Sequence, residues 1–334
     1  MPNSNKFANL KIALVADNLT RISLSYECRV MNITPWNSKL VFNYWKPDLL
    51  LVESAWEGLW KSWKYKIAAY PDYPERNNRF LAKILTIARD AHIPTVFWNR
   101  EDDVHFDRFI GSACLFDRIF TVDEGMISRY RKVLGPGVPV DVLMFAIQPA
   151  IHYPQGSVTV QRGSFVGSYG THIHPARRVW QDMMFKVAND IGITVYDRNS
   201  NRKATQYRFP SYPWLEVKKS VPYVQTADIY RRHAANLNVN TIKNSPTAFS
   251  RRLVEILACG GGLAITNATP AVKLLFADYC ELVDDEDTAR HLLSRLARDG
   301  LSQHDRQRIR AGAEYVRLHH TWQKRLEQII AIVD

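Results

Sequence analysis

The chain has 334 residues, of which 46% are hydrophobic and 11% aromatic, and its formal net charge is +11. This length is sufficient for two domains with separate cores, and this composition excludes a disordered or low-complexity protein. The charge favours an anionic partner, which could be a phosphorylated ligand, an acidic glycan, a membrane surface or nucleic acid. General solubility is the alternative explanation of the charge.

The four cysteines have neither CxxC nor zinc-ligand spacing, and we expect reduced, packed thiols in a cytoplasmic protein. No apolar stretch approaches the roughly 20 residues of a membrane span, and residues 1–7 lack the apolar core of a signal peptide. The acidic runs at 101–103 and 284–287 and the pair His319–His320 lack metal-ligand spacing, so we predict no metal site.

Short apolar segments alternate with helical segments in both halves of the chain, which is typical of parallel α/β sheets. In the first half the pattern predicts strands at 10–16, 47–53, 93–98, 118–122 and 138–143, and helices at about 77–91 and 124–134. In the second half it predicts strands at 164–167, 193–196, 237–240 and 263–266, and helices at about 175–189 and 302–332. Turn formers at 148–157 indicate a linker, and the proline-punctuated stretch 199–222 indicates an irregular loop.

Ligands of open α/β sheets bind beyond the carboxyl ends of the strands. Polar residues follow predicted strands in both halves, including Asp17 and Glu53 in the first half and Asp197 in the second. Two sheets facing each other would place both sets across one cleft.

A loop, a helix and a buried strand are predicted within residues 244–266. Ser245 suits the N-cap and Pro246 the first helical position, and apolar residues then recur at helical spacing until Gly260. The free N–H groups and the dipole of a helix start favour an anion. Arg251 and Arg252 would lie one to two turns into this helix.

Glu255 follows Arg251 by one turn and would lie on the same helical face. A phosphate near the helix start and a carboxylate deeper in the site would together recognise a nucleotide's diphosphate and its ribose hydroxyls. The alternative is an ordinary amphipathic helix with a surface ion pair.

The turn at Gly167–Gly170 joins a predicted strand to a helix that contains Arg177 and Arg178 near its start. Glycine allows phosphate to approach the backbone closely, and arginine binds phosphate through two donors. An ordinary strand-to-helix turn explains the pattern equally well. Asp197 and Arg198 end another strand and suit contacts with a base or ribose, or a local salt bridge.

The loop that follows the strand ending at Trp98 combines carboxylates with a histidine. Glu101, Asp102 and His105 are therefore candidate general bases, although a solvated acidic loop with Asp102 or Asp103 as a helix N-cap is the alternative. Trp56 lies three residues after Glu53 and suits stacking on a sugar ring or a role in the core.

Several motifs match one family in combination. In the second half they are 237–240, 245–247, 250–260, 165–168, Arg177–Arg178, 196–198 and 208–210. In the first half they are 47–56, 97–102, 105–106, 116–117 and 120–123, and a terminal element lies at 320–325. With these motifs the chain resembles the spore maturation protein CgeB-like glycosyltransferases, a bacterial and phage group with a GT-B fold.

The resemblance implies two Rossmann-like domains, at 1–150 and 157–313, facing a central cleft, and a terminal helix within 314–334 that packs back on the first domain. The donor nucleotide sugar would be bound by the second domain, through Gly167, Ser168, Tyr169, Arg178, Asp197, Arg198, Asn240, Ser245, Thr247, Arg251, Arg252 and Glu255. The acceptor would be bound by the first domain, through Asp17, Glu53 and Trp56, with the base among Glu101, Asp102 and His105. Related retaining enzymes often carry a glutamate where this chain has Thr247.

The function expected from these features is metal-independent transfer of a sugar from a nucleotide diphosphate to an acceptor hydroxyl, with no cofactor besides the donor. The acceptor is expected to be a glycan, a lipid-linked or polyol-phosphate molecule, or a modified nucleic acid, and peripheral contact with an anionic membrane is a further expectation. The alternatives are a binding or morphogenetic protein without turnover, and a glycosyltransferase for modified phage DNA. No basic stripe with interleaved aromatics stands out, which weighs against DNA.

Overall fold

The computed structural model describes residues 6–333, which form two compact units. The first unit extends to Met144 and includes the segment from Trp322 onward, and the second is Phe145–Thr321. The segment 148–157, predicted as a linker, lies within the second unit. Each unit contains a parallel sheet of six strands, so the predicted α/β class with two Rossmann-like sheets is confirmed.

The first sheet has the order β2-β1-β3-β4-β5-β6. Its strands are β1 (Lys11–Val15), β2 (Arg29–Asn32), β3 (Leu49–Glu53), β4 (Thr95–Asn99), β5 (Arg118–Thr121) and β6 (Val140–Val142). All five strands predicted for this half are present within a few residues. The sequence missed β2 because this edge strand has partly exposed side chains and no apolar run.

The second sheet has the order β12-β11-β10-β7-β8-β9. Its strands are β7 (Val160–Gly167), β8 (Ile193–Asp197), β9 (Leu215–Lys219), β10 (His233–Leu237), β11 (Leu263–Thr266) and β12 (Glu281–Leu282). The prediction of an irregular loop over 199–222 is wrong at β9, an edge strand with four exposed residues. The strand predicted at 237–240 instead lies earlier and ends at Leu237. The Asn238 side chain and the Asn240 N–H beyond it bond Thr266 and Asn267 at the end of β11.

The helices are α1 (Asn18–Leu24), α2 (Ser38–Leu40), α3 (Arg79–Asp90), α4 (Phe106–Ala113), α5 (Ile127–Leu134), α6 (Pro175–Lys186), α7 (Thr226–Arg232), α8 (Arg251–Cys259), α9 (Pro270–Leu275), α10 (Glu286–Asp299), α11 (Gln303–His319) and α12 (Trp322–Val333). Within residues 6–333, none of these helices is both long and apolar enough to cross a membrane. Short 3-10 or π turns occur at 41–45, 59–61, 124–126, 205–207 and 223–225.

Helix α8 begins later than the sequence predicts, and the assignment of Ser245 as its N-cap is wrong. The Ser245 hydroxyl accepts hydrogen bonds from the backbone N–H groups of Thr247 and Ala248, at 3.2 and 2.9 Å, but this turn does not continue as a helix. Asn240 Oδ1 accepts the N–H of Ser250 at 2.7 Å and fixes the entry to α8. Arg251 therefore occupies the first turn of α8, with Arg252 beside it.

The C-terminal region, predicted as helical over 302–332, is divided into α11 and α12 by His320 and Thr321. Helix α12 packs within the first unit, where the Trp322 ring meets Trp98 edge-on at 5.6 Å. The Arg325 side chain donates to the Met144 carbonyl at 2.7 Å, and Arg118 donates to the Ile332 carbonyl at 3.2 Å.

Two glycines permit the close approach of the α8–β11 turn to the end of α7 and the start of β10. A Cβ at Gly262 would overlap the His233 carbonyl oxygen, and one at Gly261 would overlap the Arg231 carbonyl oxygen. Both obstacles are backbone atoms, so the sheet must shift to admit a side chain.

We expect Gly262→Ala to destabilise the protein by clearly more than the roughly 1 kcal/mol typical of a point mutation. Urea unfolding of the variant measures this loss. Gly137→Ala is the matched control, because a Cβ there would meet no heavy atom within 4 Å. Equal free energies of unfolding for the two variants would contradict the packing argument.

Candidate functional site

The order of the strands reverses at β7 in the second unit, and this is where an open α/β sheet binds its ligand. Strand β7 pairs with β8 on one side and with β10 on the other. The loop after β7 begins at Ser168, and the segment after β10 leads into α8. Arg252 in the first turn of α8 places its Nη2 atom 2.9 Å from the position that a Cβ of Gly167 would occupy. The structure therefore brings these two loops together.

Three arginines converge on the loop after β7. Arg177 Nη2 donates to the Ser168 carbonyl at 3.1 Å, and Arg198 Nη2 donates to the Ser168 hydroxyl at 3.4 Å. The Arg252 guanidinium lies 4.9 Å from the Phe165 ring centroid, and its buried Nη1 atom has no hydrogen-bond partner. Positive charge and an unused donor are thus concentrated at one strand end.

Burial and mutual repulsion raise the energy of these charges. Loss of solvation, together with the neighbouring charges of Arg252 and Arg198, lowers the pKa of Arg177 to about 9. Burial also lowers the pKa of Arg252, although Tyr230 and Glu255 oppose this shift. A bound anion would relieve the repulsion, and guanidinium groups suit phosphate in particular.

The side chains of two residues of the predicted donor set are directed away from Ser168. Arg178 pairs with Asp182 at 4.0 Å and donates to the Thr171 carbonyl, whereas its neighbour Arg177 faces Ser168. The Tyr169 hydroxyl donates to Asp182 at 2.6 Å, and the ring packs against Phe209 at 5.3 Å. The sequence could not distinguish Arg177 from Arg178, because the two are adjacent in one helix. Only the structure shows which face of that helix meets Ser168.

Other predicted residues shape the loops around the site. Asn240 is buried, and its amide bonds Thr266 at 2.9 Å while its oxygen holds Ser250. Ser245 is buried and caps its own turn, whereas Thr247 is half-buried. Asp197 is buried and accepts the N–H of Asn199 at 2.7 Å, which turns the chain at Arg198.

The predicted pair of Arg251 and Glu255 is present, but it is not a surface ion pair. Glu255 Oε1 lies 2.9 Å from Arg251 Nε and accepts the Tyr223 hydroxyl at 2.9 Å. Only 3% of Glu255 is exposed. Glu255 is thus a buried carboxylate one turn below the arginine cluster.

His152 is a neighbour of this carboxylate that the sequence did not reveal. Its ring is fully buried, 5.5 Å from the Tyr223 ring, and neither ring nitrogen has a hydrogen-bond partner. Burial lowers the pKa of His152 to about 4, although Glu255 opposes this, so the ring is neutral at physiological pH. A lone histidine within a turn-rich segment has no motif that would have identified it.

In the first unit, Asp17 and Glu53 meet at the ends of β1 and β3. Glu53 accepts the Asp17 N–H and the Thr20 hydroxyl, both at 2.5 Å, and is fully buried. Arg100 Nη2 lies 2.6 Å from Asp17 Oδ2 and 3.6 Å from Glu53 Oε1. Burial raises the pKa of Glu53, while Arg100 opposes the shift. The sequence missed Arg100 because its partners are distant along the chain.

Glu101, His105 and Trp56 are half-buried and lie beside this network. The Trp56 and His105 rings meet edge-on at 5.0 Å, and Glu101 lies 3.9 Å from Arg100. Burial lowers the pKa of His105, and the charge of Glu101 opposes the shift. These residues form a partly accessible acid–base pair beside an aromatic ring.

Asp102, in contrast, is 1% exposed and faces the protein interior. It accepts hydrogen bonds from Asn99 at 2.7 Å, Thr121 at 2.7 Å and Tyr130 at 2.8 Å. Helix α4 follows His105, so the alternative of Asp102 or Asp103 as its N-cap is wrong. Asp102 thus ties its loop to β5 and α5.

Within residues 6–333, no three His, Cys, Asp or Glu side chains are grouped so that they could hold a metal ion.

Comparison with protein families identifies a match to the glycosyl transferase-like family over residues 161–331. Comparison with curated protein sequences finds no significant match. The matched region contains the strand reversal at β7 and the arginine cluster.

Solved structures with the same fold are similar over nearly the whole chain. An α-glucosyltransferase in complex with UDP-glucose and DNA containing an abasic site has a TM-score of 0.68 at 9% identity, covering 97% of this chain and 99% of its own. The DNA-modifying enzyme β-glucosyltransferase has a TM-score of 0.55 at 12% identity, covering 96% and 99%. Sucrose-phosphate synthase from Thermosynechococcus elongatus has a TM-score of 0.55 at 9% identity, covering 92% and 83%.

The buried environment of Asp102 leads to a pH dependence of stability. Burial raises the pKa of Asp102 from 3.8 to about 7, with the bonds from Thr121 and Tyr130 opposing this shift and Asp123 and Asp103 adding to it. The folded state therefore binds this proton more tightly than the unfolded state, and the contribution of Asp102 to stability falls as the pH rises from about 4 to about 7.

We expect Asp102→Asn, which stays neutral, to lose this contribution and therefore to gain up to about 4 kcal/mol relative to the wild type between pH 4 and pH 8. Denaturant unfolding at several pH values measures the effect. The exposed Asp72→Asn serves as the control and should follow the wild type. Parallel wild-type and Asp102→Asn profiles would show that Asp102 is not the titrating group.

Proposed function

The chain belongs to the glycosyl transferase-like family, and from this membership we propose that it transfers a sugar from a nucleoside diphosphate sugar to an acceptor hydroxyl. The observation that carries the proposal is the cluster of Arg177, Arg198 and Arg252 around Ser168, at the strand reversal of the second sheet. Within the family we propose the CgeB-like group on the motifs named above, and a cytoplasmic location where nucleotide sugars are made available.

The donor diphosphate would bind between the loop after β7 and the first turn of α8. Free N–H groups at the start of α8 and the unpartnered Nη1 atom of Arg252 supply donors for its oxygens. Gly167 leaves the space that a side chain would take from Arg252. Preorganised donors of this kind stabilise charge that develops on a leaving diphosphate, and we propose that they act without a metal ion.

The nucleoside would extend from the diphosphate toward Glu255. A carboxylate offers about four acceptor positions, and both Arg251 and Tyr223 use its Oε1 atom. Oε2 would accept the ribose hydroxyls. We propose that His152 stays neutral beside this carboxylate and that Arg251 holds its orientation.

The acceptor would bind in the first unit at the ends of β3 and β4. Trp56 offers an aromatic face for a sugar or another planar group, and Glu101 or His105 would remove the acceptor proton. Asp17 and the buried Glu53 would hold Arg100 in place beside this site.

The direct test is transfer or hydrolysis with a panel of nucleotide sugars, beginning with UDP-glucose because the similar α-glucosyltransferase is described with that molecule. Formation of free nucleoside diphosphate in the presence of the protein would support the proposal. Absence of calorimetric binding to every nucleotide and nucleotide sugar in the panel would reject it.

We expect Arg177→Gln and Arg252→Gln each to weaken UDP binding about 10- to 100-fold, because each removes a hydrogen bond from a charged donor. Isothermal titration calorimetry measures the affinities. Arg178→Gln is a closely matched control, since this adjacent arginine faces Asp182 instead of Ser168, and its affinity should stay within about twofold. A comparable loss in Arg178→Gln would reject the assignment of Arg177 to the phosphates.

We expect Glu255→Gln to weaken UDP binding about tenfold while leaving the affinity for inorganic pyrophosphate unchanged, because pyrophosphate has no ribose. The Arg252→Gln variant should lose affinity for both ligands, which separates the two parts of the site. An equal effect of Glu255→Gln on UDP and pyrophosphate would mean that this residue only supports the fold of α8.

A further inference from the structure

A second concave site lies in the first unit, away from the strand ends. This cavity of about 510 Å³ is lined by Tyr70, Arg76, Asn77, Asn78 and Arg108, together with neighbouring residues such as Ile67, Pro71 and Pro74. It is formed by the irregular segment between β3 and α3 and by helix α4. The chemistry proposed above uses none of these residues.

The two cations of this cavity are held against aromatic rings. The Arg76 guanidinium carbon lies 3.9 Å from the Tyr73 ring centroid and 4.3 Å from that of Tyr65. The Arg108 guanidinium carbon lies 5.4 Å from the Tyr70 ring centroid. Contacts of this kind orient a guanidinium without neutralising it, so its donors are preset for an anion.

Basic and aromatic side chains continue around the cavity. Lys64 lies 5.0 Å from the Tyr65 ring and Lys66 lies 6.0 Å from the Phe80 ring. Tyr65, Tyr73 and Phe80 are 37%, 49% and 48% exposed. The sequence indicated no basic stripe with interleaved aromatics, and the structure corrects this for the surface formed by residues 64–80 and Arg108.

Three carboxylates, Asp72, Glu75 and Glu57, accompany the five cations Lys64, Lys66, Arg76, Arg79 and Arg108 and do not cancel their charge. Glu75 lies 3.5 Å from Arg76, and Glu57 lies 3.9 Å from Lys64. Lys66 and Arg108 have no carboxylate within ion-pair distance among the described residues. The surface therefore keeps a net positive charge.

This surface is continuous with the proposed acceptor site. Arg108 follows His105 by three residues on α4, which corresponds to about 4.5 Å along a helix axis. The Ala69 N–H donates to the Arg108 carbonyl at 2.7 Å, so the segment that carries the tyrosines is fastened to the same helix. A chain molecule held at the cavity would pass His105 and Trp56.

We propose that residues 64–80 and Arg108 bind a nucleic-acid strand that has at least one unstacked base. Arg76 and Arg108 contact its phosphates, and an unstacked base lies on the exposed faces of Tyr65 and Tyr73. This inference rests on the proposed function, in which the bound strand carries the acceptor hydroxyl to His105. Exposed rings beside fixed cations favour nucleic acid over a polyol phosphate, which has no planar base, and the concave shape disfavours a flat membrane.

The test is fluorescence anisotropy of the full chain with a labelled single-stranded 15-mer DNA at several salt concentrations. We expect the double variant Arg76→Gln/Arg108→Gln to weaken binding at least tenfold and to reduce the salt slope by about 1.4, at about 0.7 per phosphate contact. Tyr73→Ala, which truncates a ring that is half exposed, should weaken binding about tenfold. Arg29→Gln, which changes an exposed arginine on the edge strand β2, is the matched control and should bind as the wild type does.

Absence of binding by the wild type, or an equal loss in Arg29→Gln, would overturn the proposal. Binding to poly(glycerol phosphate) or to phosphatidylglycerol vesicles that depends on Arg76 and Arg108, without binding to the oligonucleotide, would also overturn it. UDP titration of the same proteins separates this surface from the proposed function. The double variant should bind UDP with unchanged affinity. If the wild-type protein binds the oligonucleotide but not UDP, the proposed glycosyl transfer is rejected and the nucleic-acid surface stands.

Discussion

The pairing of β7 with both β8 and β10 is the constraint on which the candidate site depends. Because all six strands are parallel, their carboxyl ends meet at one edge, and the reversal of strand order at β7 separates the loops that would otherwise cover that edge. Arg198 reaches the site from the end of β8, Arg177 from α6 and Arg252 from α8. Segments far apart along the chain thus place three like charges around Ser168.

Buried polar groups hold the loops at the carboxyl ends of the strands in both sheets. In the second unit, Asn240 bonds the entry of α8 and thereby sets the position of Arg252. In the first unit, Glu53 fixes the start of α1, and Asp102 fixes the loop that carries Glu101 and His105. Each carboxylate accepts several hydrogen bonds, which offsets the cost of burying it. These groups stabilise the arrangement around the site and leave the contacts with a ligand to their more exposed neighbours.

Much of the strand pattern was predictable, because strands such as Leu49–Glu53 and Leu263–Thr266 are mainly apolar runs bounded by turn formers. The edge strands β2 and β9 were missed because exposed side chains remove that signal. The start of α8 was misplaced by the cap-like turn at Ser245, whose local hydrogen bonds are those of a helix N-terminus. Local sequence specifies such a turn, but packing around Asn240 decides whether a helix continues from it.

The sequence by itself determined the two α/β halves, the family motifs and the pairing of Arg251 with Glu255, because these depend on local periodicity and fixed spacing. Only the tertiary structure decided that Arg177 and not Arg178 contacts Ser168, that Asp102 is buried, and that His152 lies beside Glu255. It also placed Arg76 between the rings of Tyr65 and Tyr73. The physical reason is that charge repulsion, burial and ring contacts depend on distances between segments that are far apart along the chain. The order of the residues does not specify those distances.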